Sequence, residues 1–207
     1  MNIKRVAVLG AGAVGSYVIW GLSNNKDITL GVIASGERNE RLKKRGIMIN
    51  GTQYTPEVWT PEEAKNVDLL IVSLKYGSLR GALDDIQTIV GENTTVMSLM
   101  NGVDSEEIIS EKIDRSHILY SFIKVASQGK EDGYHFDPET TVGIYFGELE
   151  EPYESERVKA VNDILIFIDS FQNMFEQVCL YLWFLCRYHR VSHILTNSNM
   201  NRLIVDG

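Results

Sequence analysis

The sequence has few cysteines, no excess of basic residues and no long apolar run, and each deficit argues against a class of protein. Two cysteines among 207 residues, Cys179 and Cys186, do not make the disulfide framework of a small secreted domain. A net charge of −8 argues against a nucleic-acid-binding surface, because neutralising phosphates requires clustered Lys and Arg. No apolar stretch reaches the roughly 18 residues of a membrane span, and the start MNIKRVAVLG does not resemble a secretory signal. We therefore expect a soluble cytoplasmic protein.

Strand-like and helix-like segments alternate over residues 1–150. Strands are expected at 5–10, 28–34, 68–75, 94–102, 117–127 and 141–148, helices at 13–25, 37–46 and 78–90, and a hairpin at 47–59 that turns at Asn50-Gly51. The strands are uniformly apolar, which is typical of strands that helices cover on both faces. This order predicts an α/β fold with a Rossmann-type, doubly wound and mostly parallel sheet.

Three glycines follow the first strand and open the first helix, in the order Gly10-Ala11-Gly12-Ala13-Val14-Gly15. In this G-x-G-x-x-G pattern the first glycine permits a tight turn, the second lets a pyrophosphate approach the main chain, and the third allows close helix–strand packing. The phosphates would lie at the helix N-terminus, where free N–H groups favour anions. The motif predicts dinucleotide binding; the alternative is a glycine turn kept only for packing.

The end of the second strand indicates which nucleotide is bound. An NAD-binding protein would use an acidic residue there on the ribose hydroxyls, but the strand ends in Ala34-Ser35-Gly36. Ser35 can donate a hydrogen bond, and Arg38 and Arg41 follow in the next helix, an arrangement that suits a 2′-phosphate and hence NADP(H). Glu37 and Glu40 are interleaved with these arginines, so a solvated helix face is the alternative interpretation.

Polar residues also end two later strands, with Lys75 in VSLKYGS and Asn101 in SLMNGVD. Because ligands of a doubly wound sheet bind outside the carboxyl ends of its strands, both residues are expected in the crevice of the glycine turn. The alternatives are a lysine that extends into solvent and an asparagine that forms the turn before Gly102. Together with VLGAGAVGS, ASGERNERLKKRGI and VGIYFGE, these motifs resemble the 2-dehydropantoate 2-reductase (ketopantoate reductase) family over residues 3–165.

The resemblance implies a function and a set of site residues. The family reduces the 2-oxo acid ketopantoate to pantoate with NADPH, on the route to pantothenate and coenzyme A. By match to the family, Gly10 to Gly15 would hold the pyrophosphate, and Lys75 and Asn101 would line the nicotinamide end of the cleft. The backbone of Ala126 would touch the cofactor. The expected partners are NADPH, a small 2-oxo acid and a second copy of the chain in a homodimer.

The resemblance breaks in the second domain, which we expect to begin after the acidic segment 148–156 with a helix from about Glu154. The family's proton donor is a lysine shortly after a tryptophan, but FLCRYHR follows Trp183 and no lysine follows Lys159. Arg187 cannot act as an acid, whereas His189 and His193 can donate a proton in principle. The catalytic residues therefore stay unassigned.

We expect residues 151–207 to be an incomplete helical domain with a tail that is disordered or frame-shifted. Two accounts of this region fit the sequence. One is a truncated or frame-shifted product with unrelated translation after about residue 168; the other is a short protein retained as a non-catalytic NADP(H)-binding module. A third hypothesis is an opine-type or other 2-oxo-acid dehydrogenase. Both cysteines, His189 and His193 share one helix face, but one straight helix cannot wrap four ligands around an ion, so no metal site is predicted. Loss of the helical half would expose its packing surface and favour self-association.

Overall fold

The computed structural model describes residues 2–101, 104–141, 143–148 and 155–165, all of which lie in a compact unit spanning Met1–Gln172. The predictions made for the tail lie outside the described residues. They concern Cys179, Trp183, Cys186, Arg187, His189 and His193, and the change of pattern after residue 168.

The described residues form eleven strands, six α-helices and three short 3-10 helices. The strands are β1 (Arg5–Leu9), β2 (Thr29–Ile33), β3 (Ile47–Ile49), β4 (Thr52–Tyr54), β5 (Glu57–Trp59), β6 (Leu69–Val72), β7 (Thr95–Ser98), β8 (Ile118–Lys124), β9 (Gln128–Lys130), β10 (Gly133–His135) and β11 (Gly143–Gly147). The α-helices are α1 (Ala13–Leu22), α2 (Gly36–Arg45), α3 (Tyr76–Leu79), α4 (Leu83–Ile89), α5 (Ser105–Ile109) and α6 (Glu156–Leu165). The 3-10 helices are Arg80–Ala82, Arg115–His117 and Pro138–Thr140.

A seven-stranded sheet organises the fold, with the strand order β11-β8-β7-β6-β1-β2-β5. Every neighbouring pair is parallel except β11 and β8, which are antiparallel. The predicted Rossmann-type, mostly parallel α/β sheet is therefore confirmed. A second sheet has four short strands in the order β4-β3-β10-β9.

The central strands are buried on both faces, as their uniformly apolar sequences predict. Val6 and Ile71 point into a core shared with α1, α6 and part of the small sheet. The residues that alternate with them, Ala7 and Leu70, are equally buried, so the other face of the sheet is covered too. Helices on both faces leave the ends of the strands as the places where polar groups can meet a ligand.

Three local expectations differ from the structure. The hairpin that turns at Asn50-Gly51 is present, but it ends at Tyr54, and β5 instead joins the large sheet beside β2. The helix expected at 78–90 is divided into α3, a 3-10 turn and α4. The short elements β9, β10 and α5 had no counterpart in the sequence interpretation.

Helix α6 confirms the helix expected from about Glu154, and it begins at Glu156. Val161 and Ile164 of α6 are buried in the core that contains α1. Division of the chain into domains at residue 150 stays a prediction. In the described part of the chain, no helix has the length and apolar character that crossing a membrane requires.

Candidate functional site

The carboxyl ends of the six parallel strands lie at one edge of the large sheet. Backbone hydrogen bonds continue past the strands: Ser73 donates to Leu9 O at 2.9 Å and Leu99 donates to Val72 O at 2.8 Å. Ala34 likewise donates to Trp59 O at 3.0 Å. The segments that follow these strands are therefore neighbours. They carry the glycine turn, Ser35, Lys75 and Asn101, so the structure places these predicted residues along one edge.

Gly10 and Gly15 are required by the protein's own packing. Gly10 has φ +111°, and a Cβ built there would lie 2.6 Å from the carbonyl oxygen of Ser73. A Cβ on Gly15 would lie 1.9 Å from the carbonyl oxygen of Gly10. The Ser73 hydroxyl also holds the turn in place by donating to Gly10 O at 2.6 Å. The turn thus brings α1 against the end of β1, as the motif predicts.

Gly12 has no such internal reason to be glycine. Its φ of −89° is accessible to any residue, and a Cβ built there meets no described atom within 4 Å. It is the N-cap of α1, which has neither a side-chain capping bond nor an acidic residue in its first turn. Ala13 and Val14 are the first two residues of that turn. An uncapped helix N-terminus beside a bare main chain fits the phosphates of a dinucleotide.

Ser35 and Arg38 lie beyond the end of β2, next to the glycine turn. Ser35 is the N-cap of α2, is exposed and makes no capping bond with its side chain. Arg38 is exposed in the first turn of α2. Buried Asn39 fixes this turn by donating to Ala34 O at 2.9 Å. The serine hydroxyl and the arginine guanidinium are therefore available to an anionic group at this corner.

Lys75 and Asn101 are both exposed, in the segments that follow β6 and β7. Lys75 is the N-cap of α3, and the next residue, Tyr76, donates its hydroxyl hydrogen bond to Asp104 Oδ2 at 2.7 Å. This bond to a carboxylate raises the pKa of Tyr76 above its ordinary value, so the side chain remains a neutral phenol. Among the described residues, the side chains of Lys75 and Asn101 make no hydrogen bond or ion pair.

Ala126 lies further from the glycine turn than the other predicted residues. It is exposed between β8 and β9. Met97 pairs with Leu119, and β8 then continues to Lys124, beyond the last residue of β7. The role of Ala126 towards a cofactor stays a prediction.

The sequence interpretation missed the side chains that support this edge. Ser73 directly follows the apolar strand β6. A single small polar residue at that position is the feature of the sequence that could have identified it. Beneath Asn101, the Ser98 hydroxyl donates to Ser105 Oγ at 2.8 Å, and Ser105 donates to Glu106 Oε2 at 2.7 Å. All three of these residues are buried, so they form a polar support for the end of β7.

The cavity found among the described residues and their possible metal ligands do not indicate a different cofactor site. A cavity of about 600 Å³ lies at the opposite end of β2, between the end of α1 and the β4–β5 segment, and its lining includes none of the predicted cofactor-binding residues. Within the described ranges, His, Cys, Asp and Glu form no group of three that could hold a metal ion.

Comparison with known proteins identifies the family. The family model for ketopantoate reductase PanE/ApbA matches residues 6–151. The chain belongs to this family. Ketopantoate reductases are oxidoreductases, and the family resemblance expected from the motifs is confirmed.

Individual relatives agree with this assignment. The 2-dehydropantoate 2-reductase of Pyrococcus horikoshii is 38% identical over 111 residues, which are 52% of this chain and 36% of that protein. The 2-dehydropantoate 2-reductase structure from Geobacter metallireducens has a TM-score of 0.65 and 25% identity, covering 79% of this chain and 55% of that one. A D-mandelate dehydrogenase with NADH and anilino(oxo)acetate has a TM-score of 0.67 at 22% identity, over 80% and 55% of the two chains. The matched part of the chain spans 32–38% of the length of the curated 2-dehydropantoate 2-reductases and 53% of an uncharacterized oxidoreductase of Bacillus subtilis.

Proposed function

We propose that the described part of the chain binds NADPH at the carboxyl edge of the large sheet. The chain would then be the cofactor-binding part of an oxidoreductase that reduces 2-dehydropantoate to pantoate. The observation that carries the proposal is Gly12, because the fold has room for a side chain there and the sequence has none. A cofactor lying against the main chain would fill that room.

Two groups of residues would hold the phosphates of the cofactor. Gly10 to Gly15, with the N–H groups of the first turn of α1, would hold the pyrophosphate. Ser35 and Arg38 would hold the 2′-phosphate that distinguishes NADPH from NADH, since a guanidinium forms strong charge-assisted bonds with phosphate. The absence of an acidic residue at the end of β2 supports this preference.

Lys75 and Asn101 would line the nicotinamide end. When bound, the nicotinamide supplies a hydride to the keto carbon, and negative charge then develops on the carbonyl oxygen. The ammonium group of Lys75 would stabilise that charge, and the amide of Asn101 would help to orient the reacting groups. The group that protonates the oxygen stays unassigned, because FLCRYHR follows Trp183 where the family resemblance implies a lysine.

Two other functions have specific support. The segment after Trp183, FLCRYHR, has no lysine where the family resemblance implies one, which favours a module that binds NADP(H) without catalysis. The similarity to a D-mandelate dehydrogenase favours a different 2-oxo acid as substrate. The expected homodimer stays a prediction, for which light scattering on the purified chain is the direct measurement.

The binding proposal is tested by calorimetric titration of the full chain with NADPH and NADH. We expect NADPH to bind more tightly than NADH. Gly12→Ala should weaken NADPH binding at least about tenfold, since a methyl group would occupy the space of the phosphates. Gly81→Ala is the matched control, because a Cβ at Gly81 also meets nothing within 4 Å but lies outside the proposed site. Equal affinities of the two variants would contradict the proposal.

The reaction is tested by following NADPH oxidation with ketopantoate. Turnover supports the reductase. Tight NADPH binding without turnover of any 2-oxo acid favours the non-catalytic module, and turnover of only the 2-oxo acid of mandelate favours the other dehydrogenase.

A further inference from the structure

A side-chain hydrogen bond joins the two segments that carry Lys75 and Asn101. The Tyr76 hydroxyl donates to Asp104 Oδ2 at 2.7 Å. Tyr76 directly follows Lys75, and Asp104 is the third residue after Asn101. The segments leave the neighbouring parallel strands β6 and β7, so the bond bridges the two sides of the proposed nicotinamide end.

Packing alone does not hold Tyr76 in place, because 52% of the residue's surface is exposed. Asp104 is the N-cap of α5, a position where an aspartate ordinarily accepts a bond from the first turn of its own helix. Here its side chain makes no capping bond and accepts from Tyr76 instead. The carboxylate therefore links the two segments at the expense of a local interaction.

Two further ion pairs cross between the same parts of the chain. Arg80 donates to both carboxylate oxygens of Glu111, at 2.9 and 3.2 Å, and Lys112 donates to Asp84 at 2.7 Å. These pairs are exposed and stand further along the chain from Lys75 and Asn101. The charge of Arg80 also acts on Tyr76 and Asp104, whereas the Lys112–Asp84 pair joins the scaffold further along the chain. The Tyr76–Asp104 bond is the contact made beside the cleft residues themselves.

We propose that Tyr76 and Asp104 are a positioning pair, which holds Lys75 and Asn101 in register around the nicotinamide. The inference rests on the proposed function. In this proposal neither Tyr76 nor Asp104 contacts the cofactor, and both act through the segments that they join. Loss of the bond leaves the two segments free to move apart, so it weakens binding at the nicotinamide end and spares the phosphate end.

The test measures the affinity of the full chain for NADPH and for 2′-phospho-ADP-ribose, which lacks the nicotinamide. Tyr76→Phe, which keeps the ring, should weaken NADPH binding about fivefold and leave binding of the fragment unchanged. Asp104→Ala should have the same effect, and the double variant should bind no worse than either single one. Asp104→Asn retains an acceptor oxygen and should restore most of the affinity. Lys112→Gln, which breaks the pair with Asp84, should bind both ligands like the parent chain.

The outcomes separate this inference from the function on which it rests. If the parent chain binds NADPH and Gly12→Ala weakens that binding, but Tyr76→Phe does not, the positioning role is wrong and the proposed function stands. Equal weakening of both ligands by Tyr76→Phe would mean a general loss of structure and would also overturn the role. If the parent chain binds neither ligand, the proposed function fails and the inference fails with it.

Discussion

At the amino ends of the parallel strands, polar groups bond to one another, whereas at the carboxyl ends several face outwards. Asp68 accepts hydrogen bonds from the backbone N–H groups of Lys4 and Arg5, both at 2.8 Å. The guanidinium of Arg5 donates to the carbonyl oxygens of Glu63 and Lys65. This edge supplies its own partners, so its polar residues are explained by stability alone.

The carboxyl edge combines a tight interior with an open surface. Gly10, Gly15 and Ser73 are in close contact, but Gly12 faces space and Ser35 makes no capping bond. Arg38 and Lys75 extend from the same edge. A cofactor bound at the carboxyl edge, as proposed above, would account for this difference, and the following substitutions test it.

The largest effect on stability is expected at Gly15, where the packing of the carboxyl edge is tight. Gly15→Ala would place a Cβ 1.9 Å from the Gly10 carbonyl oxygen, a backbone atom that cannot move without displacing α1. We expect the free energy of unfolding to fall by about 3 kcal/mol or more. Denaturant unfolding measures the loss. Gly81→Ala serves as the control because its Cβ has room, and similar midpoints for the two variants would contradict the close packing.

At the amino edge, Asp68→Ala removes the acceptor of two backbone N–H groups, one of them partly buried. We expect a loss of about 2 kcal/mol in the free energy of unfolding. NADPH affinity should be unchanged, because the site lies at the other end of the strands. Asp68→Asn keeps an acceptor oxygen and should lose less. A change in NADPH affinity without a loss of stability would remove the contrast between the edges.

Arg38→Ala tests the open surface of the carboxyl edge. Loss of a charge-assisted bond to the 2′-phosphate should weaken NADPH binding about tenfold and leave NADH binding unchanged. Lys44→Ala removes the same charge from the last turn of the same helix and should alter neither affinity. Titration calorimetry compares the four values. No loss for either nucleotide would assign Arg38 to the solvated face of α2 instead, and an equal loss for both would mean that Arg38 does not distinguish the 2′-phosphate.

Features coded by neighbouring residues could be predicted from the sequence. The glycine turn, the buried strands and the Asn50-Gly51 hairpin depend on patterns within a few residues. The placement of β5 depends instead on pairing with β2, a contact that Trp59 and Ala34 complete across the sheet. The amphipathic stretch 78–90 predicts one helix, but Gly81, a poor helix former, lies in the 3-10 turn that interrupts it.

The candidate site shows the same limit. The sequence placed Lys75 and Asn101 at strand ends, because the apolar runs before them are local signals. It offered little sign of the bond from Ser73 to Gly10, whose partners are 63 positions apart, or of Tyr76 with Asp104, which are 28 positions apart. Those supporting contacts exist only once β1, β6 and β7 lie side by side.

The smallest effect is expected from an ion pair beside the amino end of β8. Arg157 donates to Glu148, with Nε 2.6 Å from Oε1, and also to the carbonyl oxygens of Ser116 and Ile118. Burial alone would raise the pKa of Glu148, but hydrogen bonds from Arg157 and Ser155 and the charge of Arg157 outweigh it, so the pKa is lowered. A lowered folded pKa means that the carboxylate stabilises the fold above its ordinary, unfolded pKa and loses that contribution as the pH falls through the folded value. Thermal unfolding between pH 7 and pH 3 should therefore show a smaller acid-induced loss in Glu148→Gln than in the parent chain. Equal losses would mean that the pair contributes nothing to stability, and a change in NADPH affinity would show that the two edges are coupled.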